Sequence, residues 1–249
     1  MRKLSIGLSL ASLLMVSTAA LAQDGAKNGS ASPATSSATA ITASTSPMDL
    51  ARAALASQGG DKFKNMTSMV LVGSVELYAP NSTQSIPGKF WMITAGDKMR
   101  IDIDARPAVS FKNVYNGQQS YSSMPGVNLP PMSKFGLTVL AKYDQPGYTV
   151  TALPDKKKQR AFRIADPEGN ATEFYLDPAT GKIVTFLIPY NGYTFGTEIK
   201  KVKDVEGVIV PYSFTQRLEM PQGAFFAEYS VKEVKLNQPV GDDVFAIPN

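Results

Sequence analysis

Apolar and polar residues alternate along most of this chain, with the period of two that is typical of half-buried β-strands. Apart from Gly73, every second residue from Met69 to Leu77 is apolar. The stretch KFWMITAGDKMRIDID (89–104) shows the same alternation in its second half. The period of two predicts strands at 68–77, 88–94, 98–104, 109–115, 118–122, 148–153, 160–165, 171–176, 182–188, 193–204, 207–219, 223–235 and 243–247.

Short turn sequences separate these predicted strands. The turns rich in proline, glycine, asparagine and aspartate are NG (116–117), DPEGN (166–170), DPATG (177–181), YNG (190–192), VEG (205–207) and MPQG (220–223). Such residues favour tight reversals of the backbone, so consecutive strands are expected to pair as antiparallel hairpins.

Two segments favour helices instead. Ser46 is a good N-cap, Pro47 suits the first helical position, and Gly59-Gly60 ends the apolar stripe that follows. A second helix is predicted at 132–143, although Gly136 weakens it. Its apolar face comprises Met132, Phe135, Val139, Leu140 and Tyr143.

These elements predict an α+β fold that is mainly β, with a single strongly curved antiparallel sheet and helices on one of its faces. A closed barrel is the alternative, but it leaves the two helices without an obvious place. About 200 ordered residues are enough for one sizeable hydrophobic core.

The N-terminal residues predict export from the cytoplasm. Residues 1–22 have a basic start, a short apolar region and a small-residue cleavage site that ends at Ala22, as expected of a signal peptide. Residues 23–45 are rich in Ser, Thr, Ala and Gly and are expected to form a disordered linker. The folded domain is then predicted at 46–249. With no cysteine to carry a lipid, the mature chain is expected to be soluble in a bacterial periplasm.

The amino-acid composition excludes several kinds of catalytic and metal-binding site. The chain contains no histidine and no cysteine, which excludes Ser-His-Asp and Cys-His catalysis, disulfides and the usual zinc or copper sites. Cleavage after Ala22 leaves 23 basic and 21 acidic residues, a net charge of +2. That balance does not favour nucleic acid as a partner, because phosphate binding needs a basic face.

Carboxylates are the remaining candidates for catalysis. Asp102 and Asp104 share one face of a predicted strand, and paired carboxylates can hydrolyse glycosides. Both residues belong to the polar half of an alternating strand, however, which favours a solvated surface. The two Asp-Pro turns lack the ligand spacing of a calcium loop.

Methionines are concentrated in the N-terminal half, at positions 66, 69, 92, 99, 124 and 132. Methionine is flexible and suits surfaces that accept apolar ligands of variable shape. The same residues would also serve as ordinary core between the sheet and its helices. In a curved sheet with few helices these two interpretations merge, because the core face can open into a cavity.

Several short sequence segments resemble those of a known protein family. They are Gly88-Lys89-Phe90-Trp91 before the alternating strand, DVEGVIVPYSF (204–214) and LNQPVGDDVFAIP (236–248). Over residues 46–249 the chain resembles the LolA/LolB-like outer-membrane lipoprotein-sorting superfamily. The resemblance implies an incomplete barrel whose apolar concave face, covered by helices, binds lipid or lipoprotein acyl chains without enzymatic activity or a cofactor.

The resemblance also implies which residues form the site. The ligand-binding residues would be Met69, Leu71, Phe90, Met92, Met99, Ile101 and Ile103. The lid over them would be formed by Met132, Phe135, Val139 and Leu140. The family's dedicated lipoprotein carrier has an arginine three residues after the tryptophan, and this arginine latches the helical lid. In this chain that position is Thr94, so the resemblance implies a lipid-binding relative of the carrier.

The implied partners are acyl chains and inner- or outer-membrane lipoprotein-handling proteins, with the protein itself a monomer. An envelope sensor or protein-interaction module on the same fold is the alternative function.

Overall fold

The computed structural model describes residues 40–124, 129–220 and 223–248. The predicted signal peptide and its cleavage site, together with residues 23–39 of the predicted linker, lie outside the described residues. Residues 42–45 form a turn, and Ile41 packs against the hydrophobic core. The described chain therefore contacts the core a few residues before position 46, where the folded domain was predicted to begin.

Over these ranges the architecture is one antiparallel sheet of twelve strands. The strands are β1 (Ser68–Tyr78), β2 (Ser85–Ala95), β3 (Lys98–Ala105), β4 (Val109–Tyr115), β5 (Ser120–Ser122), β6 (Thr149–Ala152), β7 (Arg160–Ala165), β8 (Ala171–Leu176), β9 (Ile183–Tyr190), β10 (Tyr193–Val205), β11 (Val208–Met220) and β12 (Gly223–Leu236). Their spatial order is β5-β4-β3-β2-β1-β12-β11-β10-β9-β8-β7-β6. Because β5 and β6 are both edges, the described sheet is an incomplete barrel, as predicted.

Pairing of β1 with β12 is the one long-range connection in this order. All other neighbours are consecutive in sequence, as the turn signals predicted. The register shifts between Val72 and Gly73, where Lys232 of β12 has no partner on β1. A Cβ atom at Gly73 would lie 2.1 Å from the carbonyl oxygen of Ser230, so only glycine fits there.

The described residues include three short α-helices beside the sheet. They are α1 (Pro47–Ser57), α2 (Asp61–Lys64) and α3 (Leu137–Leu140). Helix α1 begins as predicted, with the Ser46 side chain accepting a hydrogen bond from the backbone N–H of Asp49 at 3.1 Å. Its buried face packs over β6 and β7 on the concave side of the sheet. Helix α2 was not predicted, because a single turn has no periodicity to detect.

The predicted helix at 132–143 is wrong as a continuous element. A 3₁₀ turn, Met132–Lys134, and the one-turn α3 are separated by Phe135, which is extended, and Gly136, which has a φ of 61°. The predicted strand at 243–247 is also wrong. A 3₁₀ turn, Asp242–Phe245, replaces it and buries Phe245, and Gly241 and two aspartates in sequence favour such a turn over a strand.

The outer, convex face carries the charged half of β3. The Arg100 Nε donates to Asp102 at 2.8 Å, and the Arg100 Nη1 donates to the backbone oxygen of Val244 at 2.9 Å. The C-terminal 3₁₀ turn therefore partly covers this face, which was predicted to be fully solvated. No helix within the described ranges is long and apolar enough to cross a membrane.

Candidate functional site

The concave face is divided into a filled part and an open part. Over β7 to β9 it is filled by α1, α3 and a group of aromatic rings. This group includes Phe162 and Phe174, which stack with their ring centroids 5.2 Å apart. Towards the β1–β2 and β11–β12 turns it encloses a cavity of about 430 Å³. That volume falls in the range of about 300–1,000 Å³ that is usual for small-molecule sites.

Most described residues that line the cavity are apolar. They come from β1 to β4 and the residue after β1 on one side, from β10 to β12 on the other, and from positions 124, 129, 130 and 132. The apolar lining residues are Leu77, Ala79, Ile86, Met99, Ile101, Ile103, Val109, Phe111, Met124, Leu129, Pro130, Met132, Phe195, Leu218, Phe225, Phe226 and Ala227.

The alternating face of β3 is part of this lining. Met99, Ile101 and Ile103 are each at least 93 % buried and line the cavity, as does Met132 from the segment after β5. Cross-strand pairing explains their placement: Ile101 lies opposite Asn113 and Ile103 opposite Phe111 on β4, and both β4 residues also face the cavity. These four predicted site residues therefore share one wall.

The remaining predicted ligand-binding residues lie on the same face but outside this cavity lining. Leu71 and Phe90 are buried in the core, and Met69 and Met92 are half-buried against it. On β1 the cavity begins at Leu77, eight residues beyond Met69. A period of two identifies the face of a strand but not the point along it where packing leaves space.

The rest of the predicted lid is core. Phe135, Val139 and Leu140 are at least 97 % buried, and the Phe135 ring lies edge-on to Tyr190 at 5.8 Å. The buried backbone N–H of Gly136 donates to the Thr172 hydroxyl at 3.0 Å. Of the predicted lid residues, these three fill the closed part of the concave face and Met132 alone lines the cavity.

Thr94, at the position of the family's arginine, lies in β2 beside β1, with its hydroxyl 3.5 Å from the Met69 carbonyl oxygen. Exposed ion pairs connect the segment after α3 to its surroundings. Lys142 Nζ lies 2.6 Å from Asp97 in the β2–β3 turn, and Lys64 Nζ lies 2.6 Å from Asp144. Such solvent-exposed pairs contribute little to stability, typically below about 1 kcal/mol.

The far wall of the cavity was missed by sequence reasoning. It includes Phe195 on β10, Leu218 on β11 and Phe225 on β12, which are cross-strand neighbours. Their alternation was visible, but the pairing of β1 with β12 that brings them opposite β3 is a long-range contact without a local signal. Phe225 is 41 % exposed at the cavity rim, whereas Phe226 pairs with Arg217 and lies on the outer face of the sheet.

Charged side chains are kept away from the cavity interior. Arg217 is the one charged residue in the described lining, and its register places it on the outer face, where it pairs with Glu219 at 3.1 Å and lies 5.2 Å from the Phe226 ring centroid. Inside, burial raises the pKa of the Tyr229 hydroxyl well above its usual range, so the hydroxyl stays protonated.

The candidate carboxylate pair is on the convex face. Asp102 is paired with Arg100, and hydrogen bonds from Arg106 hold the pKa of Asp104 at about 2. Both carboxylates are thus committed to arginines on the side opposite the cavity. Within the described ranges, no group of three or more acidic side chains is placed to hold a metal ion.

Comparisons with known proteins support the fold. No family model matches the chain, and no curated protein matches it. Among solved structures, a LolA superfamily protein from Nitrosomonas europaea superposes with a TM-score of 0.52 at 12 % identity, covering 82 % of this chain and 98 % of that one.

Two further structures are similar at lower scores. A DUF1329 family protein from Desulfovibrio piger has a TM-score of 0.48 at 9 % identity, covering 81 % of this chain and 98 % of that one. A domain from Vibrio parahaemolyticus, described as an outer-membrane lipoprotein-sorting domain, has a TM-score of 0.47 at 9 % identity, covering 80 % and 95 %. The chain thus has the incomplete-barrel fold of a LolA superfamily protein, the fold that its sequence phrases indicated.

Proposed function

We propose that this is a non-enzymatic periplasmic protein that binds lipid or lipoprotein acyl chains in its concave cavity, for transport or sorting towards the outer membrane. The observation that carries the proposal is the cavity of about 430 Å³ with predominantly apolar walls. Alkyl chains are the natural occupants of such a space, because they gain by leaving water and require no charged partner.

The rim of the cavity supports the same occupant. Phe225 and Met124 are large apolar side chains that remain 41 % and 40 % exposed, and both belong to the described lining. Exposed apolar residues grouped at an opening favour contact with apolar ligands or with surfaces that deliver them. A chain that enters here would pass directly from these residues to the wall formed by Met99, Ile101 and Ile103.

The energetics require more than one short alkyl segment. Each buried methylene contributes about 0.8 kcal/mol, so ten of them contribute about 8 kcal/mol. Association itself costs between about 4 and 15 kcal/mol. Tight binding therefore needs a second chain or additional polar contacts inside the cavity.

Periplasmic location follows from the predicted signal peptide at 1–22 and agrees with a role in lipoprotein handling. The alternative, a protein-interaction module that recruits a strand at a sheet edge, gains less support from the geometry. The described edges, β5 and β6, are only three and four residues long, and a short edge offers few backbone hydrogen bonds to a partner.

Filling the cavity tests the proposal. Ala227 lines it from β12, so Ala227→Trp should occupy the space with an indole and weaken binding of the neutral apolar dye N-phenyl-1-naphthylamine at least tenfold, while urea unfolding stays cooperative. Ala179→Trp, in the exposed turn after β8, is the matched control and should bind the probe like the wild type. Absence of displaceable probe binding to the wild type, or unchanged binding to Ala227→Trp, would contradict the proposal.

A further inference from the structure

Among the described lining residues, four uncharged polar side chains occupy inward-facing strand positions between the apolar ones. Asn113, Thr197 and Tyr229 line it at 8 %, 6 % and 3 % exposure, and Gln216 lines it half-buried. We refer to these four residues as the polar patch. None of the side-chain hydrogen bonds among the described residues involves the polar patch, and burial is the one influence on the pKa of Tyr229.

Polar side chains are unusual on the walls of an apolar cavity, because buried polar groups in proteins normally have a hydrogen-bond partner. In the described residues, none of the fully buried polar atoms without a partner belongs to the polar patch. The patch therefore lies on the surface of the cavity, where an occupant can supply its hydrogen-bond partners.

The sheet brings the polar patch together from strands that are distant in sequence. Thr197 on β10 lies directly opposite Gln216 on β11, and Gln216 lies opposite Ala227, two residues before Tyr229 on β12. Asn113 on β4 belongs to the other side of the same cavity. A ligand in the cavity would thus meet polar groups from both sides.

The Tyr229 ring is held firmly in place. Phe214 stacks on it with the ring centroids 4.6 Å apart, and Phe90 meets it edge-on at 5.0 Å. Because packing fixes the ring on two sides, the direction of its hydroxyl is defined before a ligand arrives, and a hydrogen bond from it needs little further ordering.

The charge of the site restricts what it can accept. All four residues of the polar patch are neutral, and the arginine of the described lining belongs to the outer face. A carboxylate placed among them would lose its hydration without gaining a cation, which disfavours its binding. A neutral carbonyl needs only donors, which the Tyr229 and Thr197 hydroxyls and the two side-chain amides can provide.

We infer that the polar patch binds the neutral carbonyl group of an ester- or amide-linked acyl chain, with the chain itself lying along Met99, Ile101 and Ile103. The inference rests on the proposed function, which it narrows from alkyl chains in general to acyl chains that keep their linkage to glycerol, an amine or another carrier. Free fatty acids would enter less readily, since their carboxylate would meet no cation at this position.

Three ligands that share a twelve-carbon chain separate the contributions of chain and linkage: dodecane, methyl laurate and laurate. Each displaces the neutral dye N-phenyl-1-naphthylamine from wild-type protein at pH 8, where laurate is ionised. We expect methyl laurate to bind at least fivefold more tightly than either of the others. Tyr229→Phe and Thr197→Val, which remove single hydroxyl groups, should each reduce the ratio of methyl laurate to dodecane affinity about three- to fivefold.

The control is Tyr212→Phe on β11, a residue outside the described lining whose ring lies 4.0 Å from Lys203 Nζ, and it should leave the ratio unchanged. The ratio is measured within each variant, so a change in stability affects both ligands alike. An unchanged ratio in both hydroxyl variants, or tighter binding of laurate than of methyl laurate, would overturn the inference while alkyl binding itself stands. If none of the ligands displaces the dye, the proposed function and the inference both fail.

Discussion

At the residue scale, neighbouring charges on β3 have different surroundings although they alternate regularly in sequence. Arg100 and Asp102 are half-buried and paired with each other, and Arg100 also donates to Val244 in the C-terminal 3₁₀ turn. The Asp104 carboxylate is instead held by Arg106 near the end of the strand. Sequence alternation predicted their shared face correctly. It could not predict the cover that residues 242–245 provide, because that contact links positions 144 residues apart.

Asp104 gives a pH-dependent prediction. Arg106→Gln should raise the Asp104 pKa from about 2 towards 3.8, because the side-chain hydrogen bond from Arg106 is the largest cause of the lowered pKa. A lowered pKa in the folded state stabilises the fold above pH 3.8, and that contribution is lost as the pH falls through 2. Carboxyl carbon shifts in an NMR titration measure the change, with Arg52→Gln as a control that should leave the Asp104 pKa in place.

Phe174 tests the filled part of the concave face. Its side chain is fully buried and stacks on Phe162, so Phe174→Ala should lower the free energy of unfolding by about 3–5 kcal/mol. Phe225→Ala, at a position that is 41 % exposed, should lower it by less than about 1 kcal/mol. Urea denaturation measures both values, and equal losses would contradict the division between core and rim.

At the element scale, one glycine changes the segment that was expected to be a lid. The left-handed φ of Gly136 interrupts the helical hydrogen bonds that a continuous helix over 132–143 would need. Its Cβ position also lies 2.9 Å from the Phe186 ring, so there is no room for a side chain. The apolar period was real, but it describes which residues are buried and not whether they form one helix.

The anchor of this segment can be removed by a single substitution. Thr172→Val preserves the shape of the side chain but removes the hydroxyl that accepts from the buried N–H of Gly136. We expect the free energy of unfolding to fall by about 1–3 kcal/mol. Amide exchange at residues 135–140 should also accelerate. Thr215→Val, on the outer face of β11, is the control and should leave amide exchange at residues 135–140 unchanged. If exchange in the Thr172 variant is as slow as in the wild type, the anchor of this segment lies elsewhere.

At the scale of the whole molecule, the two parts of the concave face have different roles in the proposed function. The part over β7 to β9 is closed by α1 and the stacked phenylalanines, while the part between β3–β4 and β10–β12 retains the cavity. One curved sheet thus combines a core that stabilises the fold with a space available to a ligand.

Hydrogen exchange distinguishes these two parts. Saturation with methyl laurate should slow amide exchange in β3, β4 and β12, because the ligand packs against them and stabilises the surrounding structure. Exchange in β7 and β8 should change much less at short labelling times. Mass spectrometry of peptides from both regions provides the measurement, and protection confined to β7 and β8 would place the ligand in the wrong half of the molecule.

The sequence by itself determined the strand faces, the order of hairpins, the start of α1 and the exclusion of histidine and cysteine chemistry. These features follow from local patterns: period-two alternation, turn residues, a capping serine and the residue inventory. The resemblance of residues 46–249 to the LolA-like fold also came from the sequence, and the structural comparison bears it out.

Only the tertiary structure decided where the concave face is filled and where it is open. That outcome depends on the β1–β12 pairing, on the break at Gly136 and on the volumes of side chains far apart in sequence. Alternation assigned Met69 and Met99 to the same face with equal strength, yet only Met99 lines the cavity. Packing in three dimensions, which has no local period, separates a core residue from a residue that can touch a ligand.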